Sequence, residues 1–261
     1  NNSCGGNRNN GTAVEVGSGN TIMAYAGICA PNSKNASDDH FSGKSLEEMG
    51  AFVISSGGSC AVYTPLANNA PTITGTNGNI TVPINTPFAL TATATDPDGD
   101  VLTYNWEQMD NGISTQSPVA TSTVGPNFIS NPSLISPTRY FPNLVDLNAG
   151  GPFTWEVLPS VSRTMNFRVT VRDNAAGGAC NDHADVTVTT DAGTGPFLVL
   201  YPSVTGITWA GLGSETVTWD VANSDVAPVA CANVDILLST DGGLTFPTVL
   251  ASNVPNDGSE S

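Results

Sequence analysis

"RTMNFRVTVRDN", Arg163–Asn174, alternates apolar and polar residues without a break. Met165, Phe167, Val169 and Val171 fall on one side, which is the two-residue period of a strand with one buried face. "HADVTVTT", His183–Thr190, repeats the pattern after a short loop. Upstream, "NITVPINTPFALTATATD" (Asn79–Asp96) offers two more runs, and "DVLTYNWEQMD" (Asp100–Asp110) puts Leu102, Tyr104 and Trp106 on one face. Short strands with turns between them predict an immunoglobulin-like β-sandwich over residues 72–192, interrupted by a long excursion over 111–160 that is rich in Pro, Ser and Asn.

Beyond Gly193, "GPFLVLYPS", "SETVTWDV", "ANVDILLS" and "LTFPTVL" read as four further strands, the start of a second sandwich over 193–261. Four strands in so short a segment are too few to close a stable sandwich alone. The chain stops at "PNDGSES", where a turn is expected, so this segment is expected to be truncated.

The first 64 residues differ. "SGKSLEEMGAFVISSGG", Ser42–Gly58, predicts one helix: Ser45 and Glu48 form a capping box, and Leu46, Met49, Phe52 and Val53 share a face. The pair Gly57-Gly58 ends it. The stretch before it reads as irregular loop, and residues 65–71, closed by Pro65 and Pro71, read as a linker. The whole is expected to be mainly β, sandwiches preceded by a small helix-and-loop segment.

Charged residues are 11% of the chain and the formal net charge is −16, with seven lysines and arginines in all. Such a surface repels a phosphate backbone and excludes nucleic-acid binding. It suits solubility in a salty medium or the binding of hard cations. No apolar run approaches the roughly 20 residues that span a bilayer. The sequence opens at Asn1 with no signal peptide, so an export signal is expected upstream. Five cysteines without a CxxC pair indicate structural disulfides in an oxidising, extracellular compartment, with one thiol free or its partner missing.

"GSGNTIMAYAGIC" (Gly17–Cys29), with "SCGGNRN" (Ser3–Asn9) before it, resembles the methionine turn of secreted reprolysin-like metzincins, a class of zinc metallopeptidases. The resemblance to bacterial multidomain members extends over the helix, "DPDGDVLTYNWEQMD", "RTMNFRVTVRDN" and "ANVDILLSTDGGLTFP". It implies that residues 1–64 are a remnant of the catalytic domain and that Met23 is the methionine of the turn, the apolar floor beneath the zinc. It makes Tyr25 a candidate zinc ligand, since a tyrosine two residues after that methionine reaches the metal in astacin- and serralysin-type enzymes but not usually in reprolysin types. It also implies pairing of Cys4 with Cys29, and loss of a partner for Cys60. Cys231 is left to pair beyond Ser261 or with Cys180.

The departure from the family is plain. HExxHxxGxxH is absent, and His40 and His183 have no ligand at helical spacing. Without ligands there is neither zinc-activated water nor general base, so this chain alone is expected to be inert. The resemblance implies that in an intact, secreted bacterial parent a zinc-bound water, helped by a glutamate upstream, attacks a peptide carbonyl of a protein substrate. The zinc-binding half lies either upstream or has been lost.

"DPDGD" places Asp96, Asp98, Asp100 and Glu107 at the spacing of EF-hand ligands, but Val101 stands where the loop needs glycine, and strands flank it. Two readings satisfy the pattern. One is a calcium site at one end of the sandwich, drawing in Asp173, and in a wider version Asp182, from the neighbouring loop. The other is a tight acidic turn built on Gly99.

"STDGGLTF", Ser239–Phe246, is an Asp-box, a hairpin turn in which Asp241 bonds local backbone. No GxSxG element occurs, and Cys180 near His183 reads as a disulfide cysteine rather than a nucleophile. A carboxylate pair of the glycosidase kind is not visible in sequence. The alternatives to a peptidase part are a non-catalytic extracellular adhesion or spacer module stiffened by calcium, and a module that contacts cell-surface glycans through an exposed Trp155, Trp209 or Trp219.

Overall fold

A computed structural model describes residues 2–211 and 213–261. The chain is mainly β. Strands β1 (Thr72–Thr76), β3 (Phe88–Thr95) and β5 (Thr138–Phe141) form an antiparallel sheet in the order β1-β3-β5. Strands β2 (Ile80–Pro83), β4 (Thr103–Gln108), β6 (Arg163–Arg172) and β7 (Asn181–Asp191) form a second, in the order β2-β7-β6-β4. In it β2 runs parallel to β7, and the other neighbours are antiparallel.

The alternating stretch that opens the sequence reading is β6, and its four apolar side chains are all fully buried. They meet Phe88, Leu90 and Ala92 of β3 and Phe141 of β5 across the gap between the sheets. Trp106 of β4 and Phe128 of the excursion complete the core, Trp106 donating from Nε1 to the carbonyl of Pro137 at 3.1 Å. One face of each sheet is thus spent on one shared interior, which is the main source of stability in such a fold.

The excursion is more ordered than its composition predicts. It contributes β5 and a one-and-a-half-turn helix α2 (Leu144–Ala149), capped by Asn143, whose Oδ1 accepts from the Asp146 amide. Three polar side chains, Gln108 and Arg163 buried and Arg139 nearly so, hold the rest. Gln108 Oε1 accepts from the amides of Asn127 and Phe128; Arg163 donates to the carbonyls of Ser122 and Gly125; Arg139 donates to the carbonyls of Trp106 and Ile129. Residues far apart in sequence supply the partners that regular ladders would otherwise supply.

Helix α1 (Gly43–Ile54) begins earlier than the sequence indicates. Its N-cap is Ser42, whose Oγ accepts from the Ser45 amide at 3.2 Å, and the Ser45–Glu48 capping box does not form. The reason is tertiary: the Glu107 carboxylate takes the Gly43 amide at 2.6 Å and so satisfies a first-turn donor from outside the helix. The helix stops at Ile54 with Ser55 as its cap, ahead of a 3-10 turn over Ser56–Gly58. Phe52 and Val53 of the expected inner face are 64% and 48% exposed.

At the C-terminal end, β8 (Leu198–Tyr201), β9 (Val217–Asp220) and β12 (Ser259–Glu260) make a sheet ordered β12-β9-β8, facing a hairpin of β10 (Asn233–Leu238) and β11 (Thr248–Pro255). The strand expected over Leu244–Leu250 starts only at Thr248, because the turn before it is drawn in by Asp241. That carboxylate accepts from the amides of Leu244 and Thr245 and the hydroxyl of Thr245, as the Asp-box reading expects. The final residues are not a bare turn: Ser259 and Glu260 pair with Thr218 and Val217.

Candidate functional site

Two sets of residues carry the chemistry singled out in the sequence, and they lie on different parts of the molecule. The first is the turn Thr21–Ala24, closed by a bond from the Ala24 amide to the Thr21 carbonyl, with Ile22 and Met23 at its centre. Glu15 builds it from behind. This buried carboxylate accepts from the amides of Asn20 and Thr21 through Oε1, at 3.0 and 2.9 Å, and from the Thr21 hydroxyl through Oε2 at 3.1 Å. Gly19, at φ +72°, lets the backbone pass; a Cβ there would lie 2.6 Å from that of Ala24. The disulfide Cys4–Cys29 closes the loop around the turn, and Ser3 Oγ donates to the Cys29 carbonyl.

Residues 17–21 are buried, yet Ile22 and Met23 are 43% and 64% exposed, and Tyr25 is half-buried. The turn is therefore rigid at its base and apolar at its tip. His40 does not approach it as a ligand: its Nε2 lies 2.9 Å from Ser130 Oγ, and burial followed by the Arg172 charge holds its pKa below the ordinary value. His183 sits within β7 opposite Thr170. The residues present do not make a zinc site: the Glu15 carboxylate is taken up by Asn20 and Thr21, His40 Nε2 pairs with Ser130, and no group of three ligands forms at the turn among the described residues. Among the described residues the acidic loop alone gathers three potential ligand groups.

The first segment, from the base of the turn to Phe41, is joined to the sandwich by buried and partly buried polar contacts. Asn20 Nδ2 donates to the Ser130 carbonyl at 2.7 Å, the Gly17 amide to Gln116 Oε1 at 2.6 Å, and Arg172 Nη2 to the Phe41 carbonyl at 3.1 Å. Glu107 is the hub: besides the Gly43 amide it accepts from Ser130 Oγ at 2.6 Å. Burial pushes its carboxyl above the ordinary range, and the Glu15 charge adds to this, against the pull of Ser130, Gly43 and Arg172. The folded state then holds this proton to higher pH than the unfolded chain does, so the contribution of Glu107 to stability falls as pH rises above the ordinary value. Glu107→Gln removes the titration, and the Ser130 hydroxyl can turn to suit the amide. Urea unfolding at pH 4.5 and at neutrality should show the variant gaining on the wild type as pH rises; a constant difference would mean Glu107 does not titrate above its ordinary value.

The second set is the acidic loop. One carboxylate oxygen from each of Asp96, Asp98 and Asp100 falls within 4.8 Å of the others. The loop is shaped by Asp96 Oδ1, which accepts from the amides of Asp98 and Asp100, and by Gly99 at φ +80°. Asp96 Oδ2 is left without a partner, and Asp98 accepts from the amide and side chain of Asn69. Partial desolvation and then the carboxylates of Asp96, Asp173 and Asp98 push Asp100 above the ordinary range.

No protein-family model matches this chain, and no curated protein matches it.

Asp173 lies near the loop, close enough for its charge to act on Asp100, but outside the group of three whose oxygens fall within 4.8 Å of one another. Against the cost of its burial, bonds from Asn68 Nδ2 and from the amides of Ala175 and Cys180 hold it below the ordinary carboxylate range. Its oxygens order the β6–β7 loop through the Ala175 and Cys180 amides and tie Asn68 to it. Asp182 likewise accepts from the Ile73 amide. Glu107, at the fourth EF-hand position, lies on the sheet facing α1 rather than in the loop. Of the three tryptophans named for glycan contact, Trp219 is buried, Trp155 packs on the backbone at Gly17, and Trp209 is 37% exposed, so they form no exposed row. Cys60, Cys180 and Cys231 are unpaired in this structure. Sequence reasoning missed Glu15 and Ser130, whose roles depend on contacts that no local pattern signals. Among the described residues no helix is long and apolar enough to cross a membrane.

Proposed function

We propose that this chain is part of a secreted, reprolysin-like zinc metalloendopeptidase, supplying the apolar floor of the catalytic cleft and the β-sandwiches that follow it. The observation that carries this reading is a turn fixed from behind by Glu15 and the Cys4–Cys29 disulfide, while Met23 at its tip is 64% exposed. A stiff base under an exposed methionine suits a surface on which another element rests. The zinc and its ligands would come from that element, and the chain's own residues provide no step of the hydrolysis. The seven-stranded sandwich supports the immunoglobulin-like part of the reading, through its two sheets and the parallel pairing of β2 with β7. The disulfide supports an extracellular location.

The test is to isolate the native protein with an antibody against this chain, then measure intact mass, zinc content and casein hydrolysis. A mass well above 26.7 kDa with one zinc per chain and chelator-sensitive hydrolysis supports the proposal. A zinc-free protein of 26.7 kDa that leaves casein intact removes it.

The acidic loop favours a second reading, an extracellular spacer module stiffened by calcium, with or without a peptidase attached. Three carboxylates with oxygens within 4.8 Å of one another repel, and a hard cation would relieve this. Calcium at about 100 times its Kd is then expected to stabilise the fold by about 2.7 kcal/mol, read as a rise in melting temperature that EGTA reverses. Asp100→Asn should abolish that rise while leaving the melting temperature without calcium unchanged or higher. An equal rise in the variant would mean that the stabilising ion sits elsewhere.

A further inference from the structure

The core between the two sheets contains no residue before Ile73. The buried apolar side chains of the first segment, Cys4, Ala13, Val14 and Val16, stand outside it. Residues 2–58 thus share no part of that core and meet the sandwich along a polar seam. To the bonds already described at Gly17, Asn20 and Gly43, the seam adds three. Asn2 Nδ2 donates to the Gly112 carbonyl at 3.0 Å, Asn111 Nδ2 to the Gly11 carbonyl at 3.1 Å, and Arg168 Nη1 to Glu47 Oε2 at 2.8 Å. On the sandwich side the excursion supplies Asn111, Gly112, Gln116 and Ser130. The buried atoms Asn20 Oδ1 and His40 Nδ1 stay without partners. A surface rich in bonds yet not fully matched is what two separately folded partners present to each other.

The covalent connection is thin. Residues 59–67 are all exposed, and residues 61–66 belong to no helix, strand or turn. Val62 and Tyr63 are 95% and 66% exposed. Exposed, irregular chain of this kind is where a protease cuts first. We propose that the excursion, with the outer sides of β4 and β6, is a docking surface for residues 2–58, and that this segment stays bound when the linker is cut. The contacts are spread from Asn2 to Glu47, so no single bond decides the outcome. Seams of this type between partners hold at about micromolar concentration. The Met23 turn then keeps its place against the sandwich in a chain of two pieces. This inference does not rest on the peptidase reading.

The test inserts an enterokinase site, Asp-Asp-Asp-Asp-Lys, between Tyr63 and Thr64 of the whole chain. After complete cutting, judged on a denaturing gel, the two pieces should leave a gel-filtration column together when loaded at about 10 µM. Glu47→Lys sets like charge against Arg168, and Gln116→Ala takes away the acceptor of the Gly17 amide. Combined, they should raise the dissociation constant of the cut chain at least about tenfold. Amide exchange on the uncut wild type is the second measurement: Gly17, Asn20 and Gly43 should exchange far more slowly than residues 61–66. Separation of the cut wild-type pieces, or precipitation of the smaller one alone, would overturn the proposal. So would equal binding in the double variant, or exchange at those three amides as fast as in the linker.

Discussion

Phe167→Ala should destabilise the chain by about 3–5 kcal/mol, as truncation of a fully buried aromatic ring does when its surroundings cannot collapse. The surroundings here are rings on three sides, themselves held in the core: Phe141 at 4.9 Å between centroids, Phe88 at 5.8 Å and Phe128 at 6.0 Å. Phe88 and Phe141 are stacked on each other at 5.1 Å, which fixes the walls of the hole that the truncation would open. Each edge-on pair adds about 0.5–1.5 kcal/mol beyond its burial. Phe167 also lies on β6, between β7 and β4, so the loss reaches both neighbours. Urea unfolding at 25 °C reads the effect, and Phe167→Leu, which keeps most of the volume, should cost much less. A loss below about 1 kcal/mol for the alanine variant would show that the remaining rings repack freely.

Arg139→Ala should cost a similar amount, about 3–5 kcal/mol, for an electrostatic reason. Arg139 Nη2 lies 2.5 Å from Glu156 Oε1, and the Glu156 side chain is 2% exposed. The same guanidinium serves the carbonyls of Trp106 and Ile129 and covers the Phe141 ring, with Cζ 4.5 Å from its centroid. Removing it leaves a buried carboxylate without its counter-charge and two carbonyls without donors. Replacing both partners, as Arg139→Met with Glu156→Leu, should recover a large part of the loss, since two apolar side chains leave no charge stranded. The excursion should feel the single change first, as faster amide exchange over residues 127–157 than in β6. Equal stability of Arg139→Ala and the wild type would mean the pair is only a surface contact.

The parts of the fold that sequence reveals are those in which one residue's neighbours in the chain decide its place. The alternation in β6 and β7 is such a case, since a strand buried on one face must write its period into the sequence. "DPDGD" is another: the turn needs Gly99 and the Asp96 side chain within four residues, and the three carboxylates follow from the same loop. The helix start failed because its first amide is satisfied by Glu107, which is 64 positions away. The excursion looked structureless because Gln108, Arg139 and Arg163 hold it through carbonyls and amides, which every residue has. Asp173 is a related case: a carboxylate near a candidate site looks free in sequence until its own partners, the Ala175 and Cys180 amides and Asn68, are known. The resemblance pointed to Met23, but the feature that sets the turn's shape is Glu15, an ordinary acid in an ordinary loop when read alone.

The one-sided placement of the cations decides how the molecule meets a protease that cuts after lysine or arginine. Arg139 and Arg163 keep side chains only 12% and 1% exposed, and Arg168 10%, locked to Asp185 and Glu47. Arg172 is held by Ser133 Oγ and the Phe41 carbonyl. Accessible cleavage points are then confined to Arg8, Lys34 and Lys44, all in the segment that carries Met23. Trypsin acting on the native protein would nick that segment and leave the β-strand units behind it whole. After complete denaturation, the stretch from Asp173 to Ser261 would still offer no cleavage point, since it has no basic side chain other than His183.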